Sequence, residues 1–374
     1  RDDYTSDIIS SLGELCVHGI AVKPGKPAVL GAIGSVPVIG LPGYPVSAIV
    51  VMEQIVKGVV DLYYRNKCST DVFAEAVVAK RIVSSLKYRE FVRVTLGFIN
   101  GVLYATALPR GAGVITSFTK ASGILEVPQN SEGFEEGEKV TVRLLKSKSE
   151  IEASLIVTGS HDPLIDEIAD ILKQKDSSFS VISSHVGSMG AISAIRSKKA
   201  HLGAIHLLDG ETGEYNKSYV EKYFPGGSAV LIKGVGRIQG LMVQKGNPKN
   251  IRSFTDAVKH RYVNRQRGAG TRILCDHLIN RYSLDKDKIS GYKNEEFTHT
   301  AVAALIAAGN PDVGLGIYSA AKMYDLDFIP VCNEEYDFLV SADCLENGQV
   351  KAFLDVLRSE EFRERLMNMG GYEL

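Results

Sequence analysis

Gly40-Leu41-Pro42-Gly43-Tyr44-Pro45-Val46-Ser47-Ala48 lies between an apolar run, Val36–Leu41, and a segment where Ile49, Met52, Val56, Val59, Val60 and Tyr63 recur at three- and four-residue spacing. The run reads as a strand and the segment as a long helix ending near Arg65-Asn66-Lys67, so the quoted stretch is a strand-to-helix turn with Pro45 near the first helical position. Such a turn offers unpaired N–H groups and the positive end of a helix dipole, which is how α/β proteins hold anions; a rigid connection is the alternative reading. Upstream, Val22-Lys23-Pro24-Gly25-Lys26-Pro27 sets two lysines three apart in a stiff loop. That spacing concentrates positive charge suited to a phosphate or oxyanion, or makes a basic surface turn.

Working outward, residues 4–13 read as a helix and Val17–Val22 and Ala28–Leu30 as strands. Residues 70–146 change to alternating β-branched segments, Phe73–Ala79, Phe91–Leu96, Val102–Ala107 and Lys139–Leu145, which specify a small β domain. The polar stretch Lys146–Glu150 reads as a linker. From Ile151 strands and helices alternate, an α/β pattern: strands Leu155–Thr158, Phe179–Ser183, Leu202–His206 and Val313–Ile317, with helices Pro163–Leu172, Met189–Arg196, Phe254–His260, Arg272–Tyr282, Thr300–Ala308, Gln349–Leu357 and Glu360–Met367. The glycine-rich passage Val230–Gly240 leads into a strand at Leu241–Gln244.

The 374 residues imply two or three domains at roughly 150 residues each. With 43 Lys+Arg against 44 Asp+Glu the net charge is −1, so no overall field gathers nucleic acid or an anionic membrane, and anions must be held locally. The five cysteines are scattered, which points away from a disulfide framework or zinc site and towards a reducing cytoplasm. No apolar run is long enough to span a membrane and the start lacks signal-peptide order, so neither membrane nor nucleic-acid partner is expected. The opening Arg1-Asp2-Asp3 suggests that the chain begins inside a domain.

Together Asp3-Tyr4-Thr5, Lys23-Pro24-Gly25-Lys26-Pro27 and Leu41–Ala48 resemble the molybdopterin molybdenumtransferases of the MoeA/gephyrin type. Arg89-Glu90-Phe91-Val92-Arg93 and the run Gly113–Gly123 resemble that family's C-terminal barrel-like domain. The resemblance implies insertion of molybdate into adenylylated molybdopterin with Mg2+, a molybdopterin-adenylating partner protein and a homodimer. Residue by residue it implies Asp3 as the acid for the metal or the reaction, and Lys23 and Lys26 as neutralisers of phosphate charge. Pro42, Gly43, Pro45 and Ser47 would shape the pterin-side cleft, and Arg93 and Ser117 would reach towards molybdate. Tyr44 stands where the family often has Asn, and His18 where it can have lysine. The family's N-terminal domains and the start of its central domain are absent from this sequence, so a complete insertase is not expected of it alone.

In the α/β half four loops lead into helices: Thr158–Pro163, with Asp162 as a cap, Ser183–Ser188, Arg265–Arg272 and Thr298-His299-Thr300. Singly each is a cap; together they favour a converging anion site. Candidate contacts are Ser160, His161, Asp162, Ser188, Arg267, Gly268, Thr271, His299 and Thr300, with Arg267 foremost because Gly268 and Gly270 let the backbone close on a ligand. His161, His185 and His299 lack metal-ligand spacing, and His201, His206 and His277 read as structural. This half resembles the periplasmic-binding-protein-like domains related to molybdate-binding proteins, through Thr158–Asp162, Gly187–Ala191, Arg267–Arg272, His299–Ala303 and Asp312–Ile317. The resemblance implies a two-lobed fold with crossings near Gly234–Gly240 and Tyr324–Pro330.

The expected architecture is multidomain α/β and β. Residues 1–68 are the end of a MoeA-type central α/β domain and 69–147 a barrel-like β domain. Residues 151–374 form a two-lobed type II periplasmic-binding-protein-like domain, with one lobe from 151–235 and 328–374 and the other from 236–327. The function this implies is molybdenum or tungsten cofactor biosynthesis with an appended domain for molybdate, tungstate or a precursor. A non-catalytic oxyanion or pterin sensor is the alternative, and a transcriptional regulator would need a helix-turn-helix segment that the sequence lacks.

Overall fold

The computed structural model describes residues 4–65, 71–111 and 116–373. Asp3 and Gly113–Ile115 lie outside the described residues. The chain divides into two compact units, one ending at Glu152 and the other beginning at Ala153.

In the first unit, helix Thr5–Leu12 packs on a three-stranded antiparallel sheet, Glu14–His18, Val29–Ile33 and Val36–Gly40. The long expected helix runs from Pro45 to Tyr64 with a π turn at Met52–Val56. Beyond it, strands Phe73–Val78, Arg89–Ile99, Val102–Ala107, Gly123–Val127 and Lys139–Leu144 close into a small barrel, because Arg89–Ile99 pairs with both Val102–Ala107 and Gly123–Val127. Its interior is Val92, Val94, Leu96, Leu125, Val127, Val140 and Val142. These alternate along their strands as one inward face requires, and each fully buried Val or Leu contributes about 1.5–3 kcal/mol.

The stretch read as a linker contributes to this unit instead. Lys148–Glu152 is a short helix whose Ile151 is buried in the barrel core, while Ser147 and Glu150 hydrogen-bond at its start. One apolar residue at its end decides the matter, since burying Ile151 offsets the cost of ordering a polar segment.

In the second unit the sheet runs, in order, Ser180–His185, Ser154–Gly159, Leu202–Ile205, Asp327–Ser341, Ala229–Val243, Val313–Ile317, Tyr262–Arg265 and Glu295–Glu296. The strands Ala229–Val243 and Asp327–Ser341 pair antiparallel along nearly their whole length and traverse both lobes of a two-lobed fold. The glycine-rich passage Val230–Gly240, read as leading into a strand, is itself part of that strand. Its first end joins a lobe with Leu202–Ile205 paired to Val340–Asp337, and its second end joins one with Val313–Ile317 paired to Val243–Gln239. Tyr324–Pro330, expected as a crossing, instead enters the second lobe's sheet, where Phe328 pairs with Met242; the crossing falls opposite Arg237, at Glu334.

Each lobe has its own core. Leu155, Val157, Ile165, Ile168, Phe338 and Phe353 anchor the first, and Leu241, Val243, Tyr262, Leu274, Leu278 and Leu315 the second. Helix Pro163–Lys175 shows why the register holds: Leu164, Ile168, Ile171 and Leu172 recur on one buried face, and the Asp162 carboxylate accepts from the Leu164 N–H at 2.8 Å as N-cap.

Candidate functional site

In the first unit Gly25 draws the lysine loop against the helix. Its φ is +125°, and a side chain there would meet Val51 Cγ2 at 3.1 Å, so the loop and the helix beginning at Pro45 are in direct contact. Lys26 is exposed. Lys23 is not a lone cation: its Nζ lies 3.5 Å from Glu90, a buried carboxylate that also takes Arg110 Nε at 3.1 Å and the Ser84 hydroxyl at 2.7 Å. Pro42 and Ser47 are buried, whereas Gly43 and Pro45 are exposed.

Arg93 is buried on its barrel strand, donating to the carbonyls of Gly111 and Pro109, both at 3.4 Å, with its guanidinium 5.8 Å from the Phe118 ring centroid. Burial lowers its affinity for its proton. Ser117 is buried in helix Thr116–Lys120. Among the described residues no group of three His, Cys, Asp or Glu side chains is arranged to hold a metal ion.

The second unit gathers more polar chemistry, at the carboxyl ends of its strands, the position where open α/β sheets bind ligands. After Ser154–Gly159 comes Ser160, whose Oγ lies 2.7 Å from His206 Nε2; after Leu202–Ile205 comes His206, whose Nδ1 lies 2.7 Å from Glu334 Oε2. Arg237 donates from Nε to Glu334 and from Nη1 to Asp162, and its guanidinium stacks 4.3 Å from the Tyr336 ring centroid. Tyr372 donates its hydroxyl to Asp162 at 2.8 Å, and Tyr336 to the Ser160 carbonyl at 2.7 Å. Gln239 donates to Glu334 and, at 3.0 Å, to Thr271 Oγ1. All these groups are buried.

Backbone contacts close the ring of loops. The N–H groups of Val186 and Gly187 both donate to the Gly159 carbonyl at 3.0 Å, the Met189 N–H to the Gly268 carbonyl at 3.3 Å, and the His206 N–H to Ser188 Oγ at 3.1 Å. Gly270 is pressed on His206: an added Cβ would fall 2.1 Å from its carbonyl oxygen and 2.6 Å from its ring.

Electrostatics set the character of this cluster. Burial by itself would raise the Glu334 pKa, but Arg237 and His206 together outweigh it and bring the carboxyl down to about 2. Burial, helped by Arg237, brings Arg265 down to about 9. This guanidinium has no carboxylate partner among the described residues; it donates to the carbonyls of Glu296 and Phe297 and to Gln266 Oε1, and its Nη1 has no partner. Burial also drives His299 well below its usual range, with Arg265 and Arg237 adding to the effect, so it is neutral, and neither of its ring nitrogens has a partner among the described residues. A buried cation and several unmatched donors on converging loops are the composition of an anion site.

Of the residues expected from sequence, Ser160, Asp162, Ser188, Gly268, Thr271 and His299 come together here. His161 stacks edge-on to His185, ring centroids 4.4 Å apart. Thr300 bonds to the cap residue Thr298 at 3.1 Å. Arg267 is outside: its side chain is 89% exposed, with Nε 3.9 Å from Glu295. Two residues earlier Arg265 occupies the interior in its stead. His206, read as structural, is the central hydrogen-bonding residue, and Arg237, Gln239 and Glu334 complete the set. His206 was findable as a polar residue ending an apolar strand, and Arg265 only as part of the arginine-rich loop entry; Arg237 and Glu334, 97 residues apart, carry no local signal.

Comparison with known proteins supplies the context. Residues 169–358 match the PBP superfamily domain, residues 75–145 the MoeA C-terminal region (domain IV), and residues 1–61 the "Probable molybdopterin binding domain". The chain is 36% identical over 190 residues to the uncharacterized protein YvgK of Bacillus subtilis (strain 168), covering 50% of this chain and 61% of that protein. It is 27% identical over 150 residues to the molybdopterin molybdenumtransferase of the same organism, covering 39% of this chain and 35% of that one. A solved molybdopterin biosynthesis MoeA protein from Pyrococcus horikosii is 37% identical, covers 39% of this chain and 35% of its own, and has a TM-score of 0.32. The chain therefore spans about a third of the molybdenumtransferase and less than two thirds of YvgK.

Proposed function

Since the chain belongs to the PBP superfamily through residues 169–358 and carries the C-terminal part of a MoeA-type protein ahead of that domain, we propose that it serves molybdenum cofactor biosynthesis in the cytoplasm, with the second unit as an anion receptor attached to insertase machinery. The first unit keeps the lysine loop against the helix that begins at Pro45, with Lys26 exposed for a phosphate group. In this reading Pro42, Gly43, Pro45 and Ser47 border the pterin, and Arg93 and Ser117 belong to the molybdate side. Asp3 with Mg2+, an adenylylating partner protein and a homodimer complete the insertion reaction in this reading. The second unit takes a small anionic ligand, either an oxyanion such as molybdate or tungstate or a phosphorylated cofactor precursor.

The observation that carries the receptor reading is Arg265: a buried guanidinium without a carboxylate partner, beside the unmatched Arg237 Nη2 and His299. An anion would meet that charge, since burying an uncompensated cation is costly. Calorimetric titration of the intact chain with phosphate, arsenate, sulfate, selenate, molybdate and tungstate tests it. Saturable heat with at least one of them, lost in Arg265→Met, is expected; no binding of any would refute it.

A further inference from the structure

The hydrogen-bond polarity of the cluster is determined, and it specifies more than a negative charge. Glu334 is a carboxylate held by Arg237 and can only accept. Its Oε2 lies 2.7 Å from His206 Nδ1, so the proton of that ring sits on Nδ1. Burial keeps the imidazole neutral, which makes Nε2 an acceptor. Ser160 Oγ, 2.7 Å from Nε2, must therefore give its hydrogen to His206 and presents only lone pairs to any other group.

The same carboxylate orients Gln239. Its NH2 faces Glu334 and Thr271, so the amide oxygen is the atom turned elsewhere, and that Oε1 is buried with no partner among the described residues. His299, neutral, adds one acceptor and one donor nitrogen, both without partners. Its ring centroid is 6.4 Å from that of His206. Among the described residues of this cluster the buried donors without partners are Arg237 Nη2, Arg265 Nη1 and Gln266 Nε2. The buried groups thus require a partner that both accepts and donates.

A tetrahedral oxyanion without protons could satisfy only the donors: the two guanidinium groups, Gln266 Nε2 and the protonated nitrogen of His299. Its oxygens would be set against the Ser160 lone pairs, Gln239 Oε1 and one nitrogen of His299, so these acceptors would gain no hydrogen bond from it. Resting on the anion-receptor reading above, we infer that this cluster of buried groups takes an anion carrying its own O–H or N–H donor, the class of hydrogenphosphate and hydroxylated or phosphorylated precursors, and discriminates against proton-free oxyanions, molybdate and tungstate among them.

Two size-matched pairs separate charge from donor capacity: phosphate with sulfate, and arsenate with selenate. Near neutral pH the first member of each pair keeps a proton and the second has none. Titration of the intact chain at constant ionic strength is expected to give binding of phosphate and arsenate ~10- to 100-fold tighter than sulfate and selenate, the discrimination an unmatched buried acceptor imposes. Sulfate or selenate binding as tightly as its partner, or molybdate binding tightest of all, would overturn this inference while leaving the receptor reading intact. Failure of every anion to bind would instead remove the receptor reading, and this inference with it.

Discussion

Arg237 and Glu334 are register partners on the two strands that join the lobes, and their buried ion pair sits where each strand crosses. Because Glu334 has further donors in His206 and Gln239, removing either member of the pair strands charge in the interior. Glu334→Gln or Arg237→Met is expected to cost about 3–5 kcal/mol in stability. Denaturant midpoints measure this, and the double variant should lose less than the sum of the two single changes.

Acid should weaken the fold in two stages. His299 has its folded-state pKa well below the unfolded value of about 6.5, so it contributes stability above that pH and loses it as pH falls further. Glu334, at about 2 when folded against an ordinary value of about 4.3, loses its contribution between those two values. Thermal midpoints should decline from pH ~7 to ~5, and His299→Gln should flatten that decline, each such histidine accounting for at most ~1.4 kcal/mol per pH unit.

The two arginines of one loop should behave oppositely. Arg265→Met is expected to weaken anion binding by about 1.5–3 kcal/mol, the range for a charge-assisted hydrogen bond. Arg267→Ala, at a side chain mostly in solvent, should change it by less than ~0.5 kcal/mol. Equal losses in calorimetry would contradict the assignment of Arg265 as the interior cation.

Gly270→Ala tests how tightly the loop is set. With the new Cβ only 2.1 Å from the His206 carbonyl oxygen, one of the two segments must shift. A loss of about 1–3 kcal/mol in stability and a parallel loss of anion affinity are expected, read by thermal unfolding and titration.

In the first unit, Lys23 and Lys26 should separate stability from chemistry. Lys23→Ala takes one cation from the buried Glu90 but leaves Arg110, and since Lys23 is itself 44% exposed the cost should stay near ~1 kcal/mol or less. Lys26→Ala should leave the unfolding midpoint unchanged while lowering turnover of adenylylated molybdopterin, the reaction proposed above. Undiminished turnover would remove Lys26 from the phosphate site.

Local pattern made much of this architecture readable. Val313–Ile317 was legible as a buried strand, and Asp162-Pro163 as a helix start, because period and cap chemistry are properties of adjacent residues. The long strand Asp327–Ser341 was not, since its Pro330, Cys332 and paired acids Glu334 and Glu335 interrupt any alternation; what makes it a strand is its partner, Ala229–Val243. The site divides the same way. Loop residues such as Ser160 and Thr271 announce themselves by composition, whereas choosing Arg265 over Arg267 requires knowing which side of the backbone faces the interior.

The paired crossing strands bear on how such a cleft would part. Arg237 and Glu334 sit on the pivot, so rotation of one lobe against the other would leave them in contact and would chiefly alter distances to groups away from it, such as Ser160 and Arg265. An opened cleft would then meet solvent with its most costly charges still neutralised. Access for a ligand would be governed by the weaker contacts of Gly187 and Met189 with Gly268, and the ion pair would act as a fixed reference point for both positions.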